Sequence, residues 1–105
     1  MRLKCDNSLL LMVDFQAGLL PVIDGGEQAV DAASWLGGVA ELLDVPVWLT
    51  EQNPERLGGT AASLLAALKG YRLWQKQHFG VMEEEEFRAA LKATGKTQIV
   101  LCGTE

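Results

Sequence analysis

The sequence is poor in the residue types that build metal centres and disulfide frameworks. Its 105 residues include two cysteines and one histidine, His78. Cys5 and Cys102 are far apart in the chain, which favours free thiols over a bridge or a metal site. A single histidine without a cluster of other ligands is not a metal-binding pattern. We therefore expect no metal.

Positive charge is also scarce. Nine Lys and Arg residues stand against fourteen Asp and Glu residues, which gives a formal net charge of -5 at pH 7. Proteins that bind nucleic acid or an anionic membrane surface normally present clustered positive charge. The composition therefore argues against both kinds of partner.

Long apolar runs are missing as well. No stretch approaches the roughly 20 residues that a membrane-spanning helix needs, and the first residues lack the features of a secretion signal. We expect no membrane partner and a cytoplasmic location. With 49% hydrophobic residues the chain can build one core, and its length predicts one domain.

The chain does contain a short apolar run that ends in a carboxylate. Residues 8–13 (SLLLMV) are followed by Asp14. Such a run, with turn residues on both sides, predicts a strand of a parallel sheet that is buried on both faces. Asp14 then lies at the carboxyl end of the strand, where ligands bind in open α/β sheets. The alternative is an aspartate that only caps the next turn.

The rest of the chain alternates between helical and strand-like patterns. Residues 24–27 (DGGE) have the spacing of a capping box, and apolar residues, with Trp35 among them, then recur at helical spacing to Leu43. Gly37 and Gly38 either weaken this helix or permit close packing. The elements predicted after it are a strand over 46–50 that ends in a polar turn over 51–54, a helix over 61–69 capped by Thr60, a strand over 71–76, a helix from Glu83 to about Gly95, and a strand over 98–102.

This alternation predicts a three-layer, doubly wound α/β fold with a parallel, Rossmann-like sheet. With the strand order 3-2-1-4, the first and last strands are neighbours. Asp14 and residues 103–105 then face one crevice, and Lys76 reaches it from the end of the third strand. A solvated lysine at a strand end is the alternative interpretation of Lys76.

Four collinear segments resemble the isochorismatase-like cysteine hydrolase family, and in particular its YcaC-like subgroup. They cover nearly the whole chain: 14–16 (DFQ), 46–60 with its PVWLTEQNP and LGGT motifs, 76–79 (KQHF) and 100–105 (VLCGTE). Nicotinamidases of the same superfamily carry an Asp-x-His metal motif after the second strand. Residues 51–54 (EQNP) contain no histidine, so the resemblance implies neither a metal nor a cofactor.

The resemblance also implies roles for matching residues. Asp14 and Lys76 correspond to two members of an Asp-Lys-Cys catalytic triad, in which the aspartate is the base. Thr104 and Glu105 correspond to a turn with a cis peptide bond and N–H groups for an oxyanion. The residues assigned to the substrate pocket or its support are Phe15, Gln16, Gln52 and Phe79. For aromatic residues such as Phe15, Trp48, Trp74 and Phe79, a place in the core is the alternative.

The nucleophilic cysteine of the family follows the turn that residues 103–105 match, so we expect it beyond residue 105. Cys102 precedes that turn in an apolar run and is interpreted as a small hydrophobic residue. We interpret residues 1–105 as the amino-terminal part of a single domain with an incomplete sheet. The resemblance implies a homo-oligomeric hydrolase that cleaves a C–N (amide) bond of a small molecule. The alternative is a truncated, inactive binding or structural module of the same fold.

Overall fold

The computed structural model describes residues 2–76 and 84–103. Strands and helices alternate along these ranges. The strands are β1 (Ser8–Val13), β2 (Val47–Gln52), β3 (Arg72–Lys76) and β4 (Gln98–Gly103). The α-helices are α1 (Gly26–Leu42), α2 (Pro54–Leu57), α3 (Ala62–Ala67) and α4 (Glu85–Ala93), and two 3-10 turns occupy Cys5–Asn7 and Leu20–Val22.

The four strands form one parallel sheet in the order β3-β2-β1-β4. This confirms the predicted fold class and strand order. The central strand β1 is buried from Ser8 to Met12, as its apolar run predicts. Its last residue, Val13, pairs with Thr50 on one side and with Gly103 on the other. The carboxyl ends of these strands therefore lie together at one edge of the sheet.

The sheet separates two layers of helices. Alternate residues of β1 point to opposite faces, so Leu10 and Met12 pack with α1 and α3, whereas Leu9 and Leu11 pack with α4. The buried part of the larger core consists of Leu10, Met12, Phe15, Val30, Ala33, Ala40, Val47, Leu49, Leu64 and Leu68. The smaller core consists of Leu9, Leu11, Trp48 and Phe87. No helix in the described ranges is long and apolar enough to cross a lipid bilayer.

Helix α1 forms where the apolar spacing predicts it, but it begins differently. The N-cap residue is Gly25, with a left-handed φ of 77°, and no side chain caps the helix. Gly26 packs closely against the preceding turn. A Cβ added to Gly26 would be 2.5 Å from the carbonyl oxygen of Leu20, so a larger residue would clash there. The predicted capping box over 24–27 is therefore wrong. Trp35, assigned to the apolar face of this helix, is 71% exposed.

The two glycines in the middle of α1 have different surroundings. A Cβ on Gly37 would lie 2.4 Å from Leu68 Cδ2 and 3.1 Å from Met12 Cε, whereas one on Gly38 would meet no atom within 4 Å. Gly37 thus permits close packing of α1 on α3 and the sheet. Gly38 has no such neighbour, so the close-packing explanation applies to Gly37 and not to Gly38.

Three local predictions differ from the structure near β2. The strand continues through Glu51 and Gln52, which were expected in a turn, and the short helix α2 after it was not predicted. Helix α3 begins at Ala62 with Ala61 as its N-cap residue, so Thr60 does not cap it. The reason lies in tertiary contacts, since the Thr60 hydroxyl donates a hydrogen bond to Glu51 instead.

Candidate functional site

A buried ion pair joins the ends of β1 and β3. Lys76 Nζ lies 3.1 Å from Asp14 Oδ2, and the two residues are 3% and 5% exposed. Asp14 follows β1 with a left-handed φ of 58°, and Lys76 is the last residue of β3. Opposite charges at this distance stabilise each other strongly when water is excluded. The structure therefore brings together the two residues that the sequence placed at this edge.

Thr50 binds Asp14 through both its backbone and its side chain. The Asp14 N–H donates to the Thr50 carbonyl oxygen at 3.2 Å, and Thr50 Oγ1 donates to Asp14 Oδ1 at 2.8 Å. Thr50 is 1% exposed. Sequence reasoning did not single out Thr50, although its place at the end of the strand beside β1 was a usable signal. Each oxygen of the Asp14 carboxylate thus has a different partner, the Thr50 hydroxyl or the Lys76 ammonium.

Gln16 fixes the segment that follows Asp14. Its side chain is fully buried, and Nε2 donates to the carbonyl oxygens of Gln52 and Gly58 at 2.9 and 2.8 Å. Gln16 Oε1 accepts a hydrogen bond from the Gln52 N–H at 2.7 Å. Gln16 also pairs with Thr60 in an isolated antiparallel bridge. The Gln52 partner atoms in these contacts belong to its backbone, and the predicted roles of Gln16 and Gln52 in the pocket or its support stay predictions.

A second buried carboxylate, Glu51, binds Thr60, the residue that pairs with Gln16. Glu51 is 4% exposed, and its Oε2 accepts hydrogen bonds from the N–H and the hydroxyl of Thr60 at 2.7 and 2.8 Å. Gln75 Nε2 lies 3.3 Å from Oε1. Neither Glu51 nor Thr60 was identified as a site residue from the sequence. Their contact joins β2 to residues 57–61, which are also bound through their backbone to residues 15–18.

Phe15 belongs to the larger core. It is 3% exposed and lines a cavity of about 220 Å³ together with residues of α1 and the end of β4. Cys102 also lines this cavity, and burial raises the pKa of its thiol. Cys102 and Cys5 are both free thiols. The half-buried Cys102 packs against the core, as expected of a small hydrophobic residue.

The aromatic residues discussed as possible pocket walls are mainly core residues. Trp48 is 6% exposed, and its ring centroid lies 5.2 Å from that of Trp74 and 5.5 Å from that of Phe87. Trp74 is half-buried in the same cluster. For Trp48, a place in the core is therefore the correct alternative.

Three of the predicted site residues, Phe79, Thr104 and Glu105, lie outside the described residues, and so does His78. The predicted cis peptide bond between Thr104 and Glu105 lies there as well. Among residues 2–76 and 84–103, no group of three or more His, Cys, Asp or Glu side chains is arranged to hold a metal ion.

The geometry of this edge suits proton transfer. Asp14 offers a carboxylate that is paired with the Lys76 ammonium and accepts a hydrogen bond from the Thr50 hydroxyl. A carboxylate in such a position can accept a proton from a nucleophile and return it to a leaving group. Hydrogen bonds of the buried Gln16 and Glu51 side chains tie together the segments that follow β1 and β2 at this edge.

Comparison with known proteins points to one family. Residues 8–105 match the isochorismatase domain family. Isochorismatase domain-containing protein 2 of Danio rerio is 35% identical over 105 residues, covering 99% of this chain and 52% of that protein. Isochorismatase domain-containing protein 2A of Mus musculus is 36% identical over 108 residues, covering 99% of this chain and 49% of that protein. The chain spans about half the length of these relatives.

Solved structures show the same similarity. The MAR1 ribonuclease from Caenorhabditis elegans superposes with a TM-score of 0.88 at 25% identity, covering 98% of this chain and 53% of that one. The ycaC gene product from Escherichia coli, described as an octameric hydrolase of unknown specificity, has a TM-score of 0.81 at 29% identity, covering 97% and 52%. YcaC from Pseudomonas aeruginosa, solved with hexane-2,5-diol and covalent acrylamide, has a TM-score of 0.79 at 27% identity, covering 97% and 52%.

Proposed function

Because this chain belongs to the isochorismatase domain family, we propose that it forms the Asp-Lys half of a hydrolase site that cleaves a C–N (amide) bond of a small molecule. The nucleophile in this proposal is a cysteine beyond residue 105. The observation that carries the proposal is the buried Asp14–Lys76 ion pair at the carboxyl edge of the sheet. A buried charge pair at the edge where ligands bind is a costly arrangement that a purely structural role does not require.

The proposed reaction has two stages. The cysteine thiol transfers its proton to the Asp14 carboxylate, and the thiolate attacks the amide carbonyl carbon to form a C–S bond. The C–N bond then breaks, and the proton passes from Asp14 to the departing nitrogen. Water next attacks the thioester carbon while Asp14 accepts a proton from it. The C–S bond breaks, and that proton returns to the sulfur, so the enzyme is regenerated.

Lys76 has an electrostatic role in this mechanism. Its ammonium group, 3.1 Å from Asp14 Oδ2, stabilises the ionised carboxylate that must accept the proton. In the same proposal, backbone N–H groups near Thr104 and Glu105 receive the oxyanion that develops on the carbonyl oxygen. Phe79 is proposed as part of the pocket wall.

The comparisons support two further parts of the proposal. A covalent acrylamide adduct in the Pseudomonas YcaC structure supports the presence of a nucleophilic group in this family, since acrylamide is an electrophile. The octameric state of Escherichia coli YcaC supports a homo-oligomer. The net charge of -5 favours a small-molecule substrate over nucleic acid, and we propose a cytoplasmic location.

The test uses the intact polypeptide that carries this chain and the reactive cysteine. Ammonia release from a panel of small primary amides is measured for the wild type, Asp14→Asn and Lys76→Met. Alkylation of each cysteine by iodoacetamide is followed by mass spectrometry, which requires no knowledge of the substrate. We expect Asp14→Asn to lower both the alkylation and hydrolysis rates by about 100-fold or more, because the general base is lost.

Exposed residues of the same types provide matched controls. Asp24→Asn and Lys69→Met change the charge equally at exposed positions and should retain wild-type rates. Wild-type rates in Asp14→Asn would contradict the triad assignment. A folded wild type without turnover and without a rapidly alkylated cysteine would favour the binding or structural module instead.

A further inference from the structure

We propose that Thr50 is a positioning residue that fixes the orientation of the Asp14 carboxylate. The importance of this orientation for catalysis rests on the proposed function, but the orientation itself is a property of this chain. Thr50 is joined to Asp14 twice, through the Asp14 N–H at 3.2 Å and through the hydroxyl bond to Oδ1 at 2.8 Å. The two bonds hold the backbone and the side chain of the same residue.

The backbone at Asp14 makes this second contact important. With a φ of 58°, Asp14 has left the extended conformation of β1, so the pleat of the strand no longer determines where its side chain points. Its other partner, Lys76, offers an ammonium group whose three N–H donors rotate about the Cε–Nζ bond. An ammonium balances charge but imposes little angular preference on a carboxylate.

Thr50 is better suited to impose a direction. It is 1% exposed and lies within β2, where a β-branched side chain has few available rotamers. Its hydroxyl position is therefore determined by the backbone of the strand beside β1. Because the hydroxyl occupies one lone pair of Oδ1, the plane of the carboxylate is set, and the remaining lone pairs point in fixed directions. A fixed acceptor direction is what proton transfer to Asp14 requires.

Residue Thr60 provides a matched control within the chain. Its hydroxyl also donates to a buried carboxylate at 2.8 Å, but the acceptor is Glu51. Thr60→Val removes the same type of bond from the same region without removing a contact of Asp14. A change in the Asp14 rotamers that occurs in both Thr50→Val and Thr60→Val would reflect a general loss of stability in this region. A change that occurs only in Thr50→Val would reflect the loss of its hydrogen bond to Asp14.

The experiment measures the χ1 rotamers of Asp14 by NMR three-bond couplings in the intact polypeptide that carries this chain. We expect a single rotamer in the wild type, Thr50→Ser and Thr60→Val, and averaging over at least two rotamers in Thr50→Val. A single unchanged rotamer in Thr50→Val would overturn the proposal. The wild type supplies a test that does not depend on variant folding. The Thr50 hydroxyl proton should exchange slowly with water and show a nuclear Overhauser effect to the Asp14 side chain. Absence of this nuclear Overhauser effect would also overturn the proposal.

A second measurement separates this inference from the proposed function. In the intact protein, Thr50→Val should slow alkylation of the reactive cysteine about 10-fold, and Thr50→Ser should restore the rate. Averaged Asp14 rotamers together with slower alkylation would support both proposals. Averaged rotamers with wild-type alkylation in both Thr50→Val and Asp14→Asn would support the positioning role and refute Asp14 as the base.

Discussion

Removing the lysine of the buried ion pair should destabilise the chain strongly. In Lys76→Met, the Asp14 carboxylate stays buried and loses the ammonium 3.1 Å from its Oδ2 atom. At an effective dielectric constant of about 20, two unit charges at that distance attract each other by about 5 kcal/mol. Asp14 retains the hydroxyl hydrogen bond from Thr50, which offsets part of this loss. We expect the free energy of unfolding to fall by about 3 kcal/mol, at the lower end of the range for a broken buried pair.

The same reasoning predicts that removing both charges costs less than removing one. The double variant Asp14→Asn with Lys76→Met leaves a neutral amide beside Thr50 and an apolar chain of similar length at residue 76. Neither a buried carboxylate nor a buried ammonium then lacks a counter-charge. We expect the double variant to lie within about 1 kcal/mol of the wild type, because a buried ion pair is often replaced by uncharged groups at little cost.

Urea unfolding of the wild type, both single variants and the double variant provides the measurement. With an unfolding slope of about 2 kcal/mol per molar, the Lys76→Met midpoint should fall by about 1.5 M. All four proteins are measured in the same concentration of trimethylamine N-oxide, an osmolyte that stabilises folded proteins. The least stable variant is then folded before urea is added. A Lys76→Met variant within about 1 kcal/mol of the wild type would refute the reasoning. So would a double variant that is less stable than either single variant.

Three further predictions concern residues outside the ion pair. Gly38→Ala should raise the free energy of unfolding by about 0.5–1 kcal/mol through helix propensity, whereas Gly37→Ala should lower it by about 1–3 kcal/mol through overpacking, both measured by urea unfolding. Gln16→Ala should lower the free energy of unfolding by about 2–3 kcal/mol, measured by thermal unfolding, because a fully buried side chain loses its three hydrogen bonds. In the folded chain at pH 8, iodoacetamide should modify the exposed Cys5 faster than Cys102, since the raised pKa of Cys102 lowers its thiolate fraction, as mass spectrometry can show.

Each of these predictions has an outcome that contradicts it. Equal changes in stability for the two glycine variants would mean that Leu68 moves away without cost. Gln28→Ala, at an exposed position, is the control for Gln16→Ala, and similar stabilities of the two variants would show that the buried amide contributes nothing. Modification of Cys102 at least as fast as that of Cys5 would contradict the burial of its thiol. Cysteine labelling of the urea-unfolded chain, where the two rates should converge, supplies the reference.

Local patterns were sufficient for most of the architecture. The apolar run of β1 ends at Asp14, and its burial on both faces follows from the number of consecutive apolar residues. Alternation of strands and helices then limits the topology to parallel, right-handed crossovers. The same patterns were less reliable at element ends. Threonine is a common N-cap residue, but the Thr60 hydroxyl donates a hydrogen bond to the buried Glu51 carboxylate and does not cap helix α3.

The sequence by itself determined the fold class, because that follows from short-range periodicity and from the rules that govern parallel sheets. With the strand order 3-2-1-4 adopted from one common doubly wound arrangement, it also predicted the edge at which Asp14 and Lys76 lie, and the structure has that order. Only the tertiary structure decided which side chains touch there. The register of β1 and β2 places Thr50 beside Asp14, and the packing of residues 57–61 against residues 15–18 buries Gln16. Contacts of this kind depend on side-chain directions and distances between segments far apart in the chain. For that reason the sequence pattern could place Thr50 at this edge of the sheet, but it could not show that the Thr50 hydroxyl binds Asp14.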